Sequence, residues 1–191
     1  MNAAFTNLAF SLGAMQLAKR LPLEDPVFIN YLRIAYVASQ VLTLAIYLYI
    51  QMRIKKKNDL TTLKYVQPAS PMSQEEGGLV TTTVKDYDLT ETGKLMRGVL
   101  MGVAFMAFLH VYMKYTQPLF IQAIMTIKGV LESKPAMLHL YGKKAEGDLA
   151  RPFKAGGGLL DQLTGGGGGA ATDAASIKEA EKPSGASKKD E

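Results

Sequence analysis

The chain has no cysteine among its 191 residues, so disulfides, thiolate nucleophiles and zinc–thiolate sites are all excluded. Histidine is nearly as scarce. His110 and His139 are the only two, which argues against a histidine-based metal centre, and no cofactor is expected. Charge is thin inside the hydrophobic runs, and the basic residues behind the net charge of +5 cluster at their ends. That distribution suits orientation in a bilayer better than a nucleic-acid surface. The marks of a signal peptide, a basic start and a small-residue cleavage motif, are also missing. The first apolar stretch, Ala3 to Leu17, instead carries Lys19 and Arg20 behind it, and its length suits a short or partly inserted helix.

What is present is one long apolar run, Val27 to Ile50 (VFINYLRIAYVASQVLTLAIYLYI), 24 residues with a single formal charge. At about 1.5 Å per residue it is long enough to cross a bilayer core of roughly 30 Å. Asp25–Pro26 opens it and the basic cluster Arg53 to Lys57 follows it, so it should run from the lumen to the cytoplasm. Its polar residues Asn30, Arg33, Tyr36, Gln40, Thr43 and Tyr47 recur in steps of 3, 3, 4, 3 and 4, which puts them on one helix face. Lipid cannot hydrogen-bond to that face, so it must meet another helix or a wet cavity. Two readings fit: a snorkelling Arg33 with polar residues joining helices, or a polar groove inside the membrane.

The second span is Leu95 to Tyr115, anchored at its start by Lys94 and Arg97 and so running outward from the cytoplasm. Gly98 and Gly102 form a GxxxG pair that lets another helix approach closely. Met106, His110 and Met113 continue roughly the same face, and flexible thioethers suit a surface that accepts varied apolar partners. His110 has Lys114 four residues on as a polar neighbour. Thr116-Gln-Pro118 should break the helix. Leu119 to Leu131, with Gln122, Thr126 and Lys128 inside it, is too short to cross a full bilayer but could cross a thinned one.

Mean hydropathy near zero averages two unlike parts. Residues 1–132 read as a membrane-embedded helical domain with a cytoplasmic connection at about 51–94. In that connection Leu79 to Val84 has strand propensity but is too short to make a sheet alone, and Asp88-Leu-Thr-Glu91 reads as a capping box starting the next helix. Residues 133–154 form a basic cytoplasmic segment, and residues 155–191 a Gly-rich tail expected to be disordered. The fold expected is therefore an all-α integral membrane protein: about three embedded helices, a short N-terminal helix and a disordered C-terminal tail.

Several strings resemble a known family: Leu23-Glu-Asp-Pro26, Tyr31-Leu-Arg-Ile34, Asn58-Asp-Leu-Thr-Thr-Leu-Lys-Tyr-Val66, Val84-Lys-Asp-Tyr-Asp-Leu89, Leu109-His-Val-Tyr-Met-Lys-Tyr-Thr-Gln-Pro-Leu-Phe120 and Gly147-Asp-Leu-Ala-Arg-Pro-Phe-Lys154. Together, over about residues 1–154, they resemble the fungal inorganic phosphate transport protein family of the endoplasmic reticulum, also known as the third component of the SRP-independent targeting pathway. The Gly-rich tail is not part of this match. The resemblance implies a multi-pass membrane protein of the endoplasmic reticulum. Its expected partners are the Sec translocon, other SRP-independent targeting components, nascent membrane-protein clients and the lipid bilayer. It carries no catalytic motif, and no enzyme is expected.

The order of spans resembles the three-helix core of YidC-type insertases, an analogy of topology alone. On that analogy Asn30, Arg33, Tyr36, Gln40, Thr43 and Tyr47, with Met106, His110 and Met113, form a candidate substrate groove. Gly98 and Gly102 are candidate packing positions. Lys55, Lys56, Lys57, Lys143 and Lys144 are candidate contacts to ribosome or translocon, with basic topology anchors as the plainer reading. Phosphate transport with Arg33 as an anion ligand, maturation of a transporter, and a passive scaffold are the alternatives.

Overall fold

The computed structural model describes residues 3–67 and 78–153. Residues 68–77 of the expected cytoplasmic connection and the Gly-rich tail lie outside the described residues. The chain divides into two units. One comprises residues up to Lys56 together with Leu89–Tyr141, and the other Lys57–Asp88 with the segment from Gly142 onward.

The first unit is helical. Helix α1 covers Ala3–Ala18, the short N-terminal helix expected. Helix α2, Pro26–Lys57, is longer than the apolar run because the basic cluster continues its last turn. Asp25 Oδ1 accepts from the Val27 amide at 2.9 Å and Pro26 takes the first helical position, where its missing N–H is harmless. At the far end Asn58 adopts a left-handed φ of 48°, a conformation asparagine tolerates and which stops the helix. Helix α3, Val84–Ala107, runs into a π-helical turn at Phe108–Tyr112. Among the described residues, helix α2, and α3 taken with that turn, are the two helices long and apolar enough to cross a membrane.

The break expected at Thr116–Pro118 begins earlier. Lys114 is left-handed at φ 62°, and Pro118 sits in the first turn of helix α4, Gln117–Glu132, which it helps to start. A short helix α5, Lys134–His139, follows. Ser133 caps it by accepting from the Ala136 amide, so part of the expected basic segment packs as structure.

The core of this unit comes in two clusters. Leu32, Tyr36, Met106, Leu119 and Ala123 make one; Tyr47, Ile50, Ile54, Val130 and Ala136 make the other. Along α2 the residues buried between the two clusters are Ser39, Gln40 and Thr43, all polar.

The second unit departs from an all-α chain. Strand β1, Thr62–Gln67, pairs antiparallel with β2, Gly78–Thr83, in the register Thr62↔Thr83 to Gln67↔Gly78. The strand signal at residues 79–84 thus finds a partner that the sequence reading did not identify. A two-stranded hairpin is marginal alone. Here Tyr65 meets the edge of Tyr87 at 5.7 Å, and Tyr87 meets Phe153 at 5.3 Å.

The expected capping box at Asp88 is displaced by five residues. Thr83 is the cap: its hydroxyl accepts from the Asp86 amide at 3.1 Å and donates to Asp86 Oδ2 at 2.8 Å. Asp88 lies inside the helix, 1% exposed, and takes both arms of the Arg151 guanidinium at 2.6 Å each. The Phe153 amide donates to the Tyr87 hydroxyl at 2.7 Å, so the end of the described chain is tied to the start of α3. Before β1, the Thr61 hydroxyl and amide both donate to Asp59, holding its carboxyl below the usual carboxylate range.

Candidate functional site

The polar residues of α2 fall into two parts with different surroundings. Near the start of the helix Asn30 and Arg33 are exposed. Arg33 Nη1 donates to Asn30 Oδ1 at 3.0 Å, and Arg33 Nε donates to His110 Nε2 at 2.9 Å. With Nε2 accepting, the ring proton sits on Nδ1, which faces the Tyr115 carbonyl at 3.0 Å. The π-helical turn at 108–112 is what carries His110, and π turns disrupt the ordinary register of a helix face. The partner expected for His110, Lys114, is replaced by Arg33 from another helix.

Deeper along α2 the row is buried. Tyr36, Gln40, Thr43 and Tyr47 are 7%, 5%, 0% and 4% exposed. Helix α4 lies against them. Gln40 Nε2 donates to Thr126 Oγ1 at 3.4 Å and to Ser39 Oγ at 3.3 Å, while Thr126 donates to the Gln122 carbonyl at 2.7 Å. Three atoms in this row, the Tyr36 hydroxyl, Gln40 Oε1 and Thr43 Oγ1, are buried without a hydrogen-bond partner among the described residues. Every buried side chain of α2 is neutral. The row therefore offers hydrogen bonds without charge, in a low-dielectric setting where an unmet polar group is expensive.

The methionines expected on the same face separate. Met106 is buried in the first apolar cluster, whereas Met113 lies beyond the π turn and is exposed. Gly102 does permit a close approach, since a Cβ there would stand 2.9 Å from Gln122 Nε2; at Gly98 a Cβ would meet nothing within 4 Å. Gly98→Ala is accordingly expected to leave stability within about 0.5 kcal/mol. Gly102→Leu should loosen α3 from α4 by about 1–3 kcal/mol through overpacking. Thermal unfolding of the two variants in detergent checks the contrast.

Lys55, Lys56 and Lys57 lie exposed at the end of α2, and Lys143 and Lys144 are exposed after α5. Among the described residues no three His, Asp or Glu side chains gather as a metal site. Sequence reasoning missed the α4 half of the row. Thr126, a polar residue in an apolar run, was its visible signal, but nothing in the chain's order tells which helix it faces.

A family described as phosphate transport (Pho88) matches residues 1–188, so the match runs on into the Gly-rich tail that the string resemblance left out. The chain is 45% identical over 193 residues to SRP-independent targeting protein 3 of Saccharomyces cerevisiae, with both chains covered completely. It is 37% identical over 181 residues to the SRP-independent targeting protein 3 homolog of Schizosaccharomyces pombe, covering 94% of this chain and 91% of that one. No solved structure matches.

Proposed function

The chain belongs to the phosphate transport (Pho88) family, and from that membership we propose that it is a multi-pass endoplasmic-reticulum membrane protein of SRP-independent targeting. On this reading it receives membrane-protein segments along the polar row of α2 and eases them into the bilayer beside the Sec translocon. The names of the two yeast relatives support the targeting role. The observation that carries the insertion step is the buried neutral row Tyr36, Gln40 and Thr43 with its three unmet oxygens.

The physics is differential solvation. Moving a hydrophilic flank into hydrocarbon leaves its polar groups without partners, and a row of hydroxyls and amides inside the membrane lowers that penalty. Helix α4, at 16 residues, spans about 24 Å, less than the roughly 30 Å of a bilayer core, so it shortens the crossing locally. Met106 supplies a pliable apolar wall. No covalent bond is made or broken, and the role is non-enzymatic. In this topology α2 runs toward the cytoplasm, α3 returns, and α4 brings the chain back with its tail cytoplasmic. Lys55, Lys56, Lys57, Lys143 and Lys144 then face the ribosome or translocon.

Photo-crosslinkers at Arg33, Gln40 and Met106, used during synthesis of a short membrane protein in ER membranes, test this reading. Transient adducts with the nascent apolar segment support it; adducts confined to stable translocon subunits replace it with a scaffold. In the same assay Arg33→Leu with Gln40→Leu should lower insertion while the protein level holds. Normal insertion by the stable double variant would sink the groove. The family's description favours one other reading, phosphate passage with Arg33 as ligand. Arg33 already donates to Asn30 and His110, and phosphate uptake by the purified chain in liposomes is the result that would restore it.

A further inference from the structure

The row on α2 is covered by a segment of the chain itself, and that segment has a composition worth matching. Helix α4 turns Leu119, Ala123 and Val130 into the two apolar clusters and brings Thr126 to the row, while Gln122, one turn earlier, lies against Gly102 of α3. It is short, apolar, and neutral where it meets α2, with two hydrogen-bonding side chains one turn apart. The fit is incomplete: Gln40 reaches Thr126 by a long 3.4 Å bond, and three buried oxygens stay unmet. A built-in helix that leaves this much hydrogen-bonding capacity unused is a poor permanent partner and a good placeholder.

We propose that α4 is a resident plug over the α2 row, and that the occupant which displaces it is a membrane segment of α4's own kind. Such a segment is a short apolar helix bearing neutral polar side chains one turn apart. This rests on the reading of the row as the client-binding site, and it adds the class of client and the element that must move. An all-leucine segment would leave the row's oxygens as unmet as α4 leaves them, and so gains nothing by exchange. A segment with Lys or Asp in its middle would bring a charge to a row that holds no counter-charge. Segments with Gln, Asn, Ser or Thr one turn apart answer both conditions.

The absence of cysteine makes the test clean. Ile50→Cys with Val130→Cys places the only two thiols of the full chain in one apolar cluster that joins α2 to α4 outside the polar row, and a short bis-maleimide bridges them. Insertion is then measured in ER-derived vesicles for two clients, one with Gln and Thr four residues apart and one all-leucine. The polar client should insert with the unbridged chain and fail to insert when α4 is bridged to α2, while the leucine client is indifferent to the chain. Insertion of the polar client by the bridged chain overturns the plug, and equal dependence of the two clients overturns the assigned class. If neither client depends on the unsubstituted chain, the insertion reading falls and the proposal with it. Should the double variant fold poorly, Ser39→Cys alone serves, since Ser39 is 5% exposed beneath the plug. Its thiol should react faster with a maleimide when the polar client is engaged, and an unchanged rate counts against displacement.

Discussion

Replacing Asp88 by alanine is expected to destabilise the hairpin unit by about 3–5 kcal/mol, the usual effect of removing one partner from a buried ion pair. Asp88 and Arg151 side chains are 2% and 11% exposed, and their two bonds are parallel, so neither charge has water to fall back on. Against a domain stability of about 5–15 kcal/mol, a loss of this size removes much of the margin. Beside the pair, the described residues tie the hairpin by two six-residue strands, the Tyr65–Tyr87–Phe153 ring contacts, the Phe153–Tyr87 hydrogen bond and the backbone bonds of Val84 and Lys85 to Thr61 and Asp59. Tryptic cleavage after Lys64 and Lys85 in the full chain should accelerate strongly in Asp88→Ala and in Arg151→Ala. Arg151→Lys should not restore protection, because an ammonium cannot supply the two-armed contact. Asp88→Leu with Arg151→Met, which leaves no charge behind, should recover most of it. Cleavage in Asp88→Ala at the wild-type rate would show that the pair does not hold the unit.

The two long helices were legible because a bilayer makes a simple demand, a run of about 20 apolar residues with basic ends. The polar face of α2 was legible for a related reason: one helix fixes its own angular spacing, so Tyr36, Gln40, Thr43 and Tyr47 had to share a side. What that face meets was not. Thr126 lies 86 residues away, and only packing reveals that it opposes Gln40. The π turn that delivers His110 to Arg33 has no sequence mark, and it broke the expected continuity from Met106 to Met113. Asp88 misled for a different reason. Its spacing to Glu91 satisfies the capping pattern, yet Thr83 and Asp86 satisfy it too, and the deciding factor is Arg151, 63 residues later. Local signals were read correctly where the chain decides locally. They failed where a residue answers to a distant partner.

Thr43→Val and Tyr36→Phe should each stabilise the helical unit, by about 1 kcal/mol, while lowering insertion. Thr43 is fully buried and Tyr36 nearly so, and their oxygens have no partner among the described residues. Burying such a group without a bond costs about 1–3 kcal/mol, and removing the oxygen at nearly constant shape relieves that penalty. Valine is close to threonine in shape, and phenylalanine differs from tyrosine only by the hydroxyl, so packing in the Leu32–Tyr36–Met106 cluster survives. Membrane helix contacts are weaker than the soluble average, so the gain should fall toward the low end. If the row served only to pack helices, both substitutions would be improvements without a drawback. If it serves to meet a client's polar groups, the variants should unfold at higher temperature in detergent yet insert a Gln- and Thr-bearing segment less well. That pairing of greater stability with weaker insertion is the signature of a site kept unsatisfied for use. A variant that gains stability and inserts normally would return the row to mere helix packing.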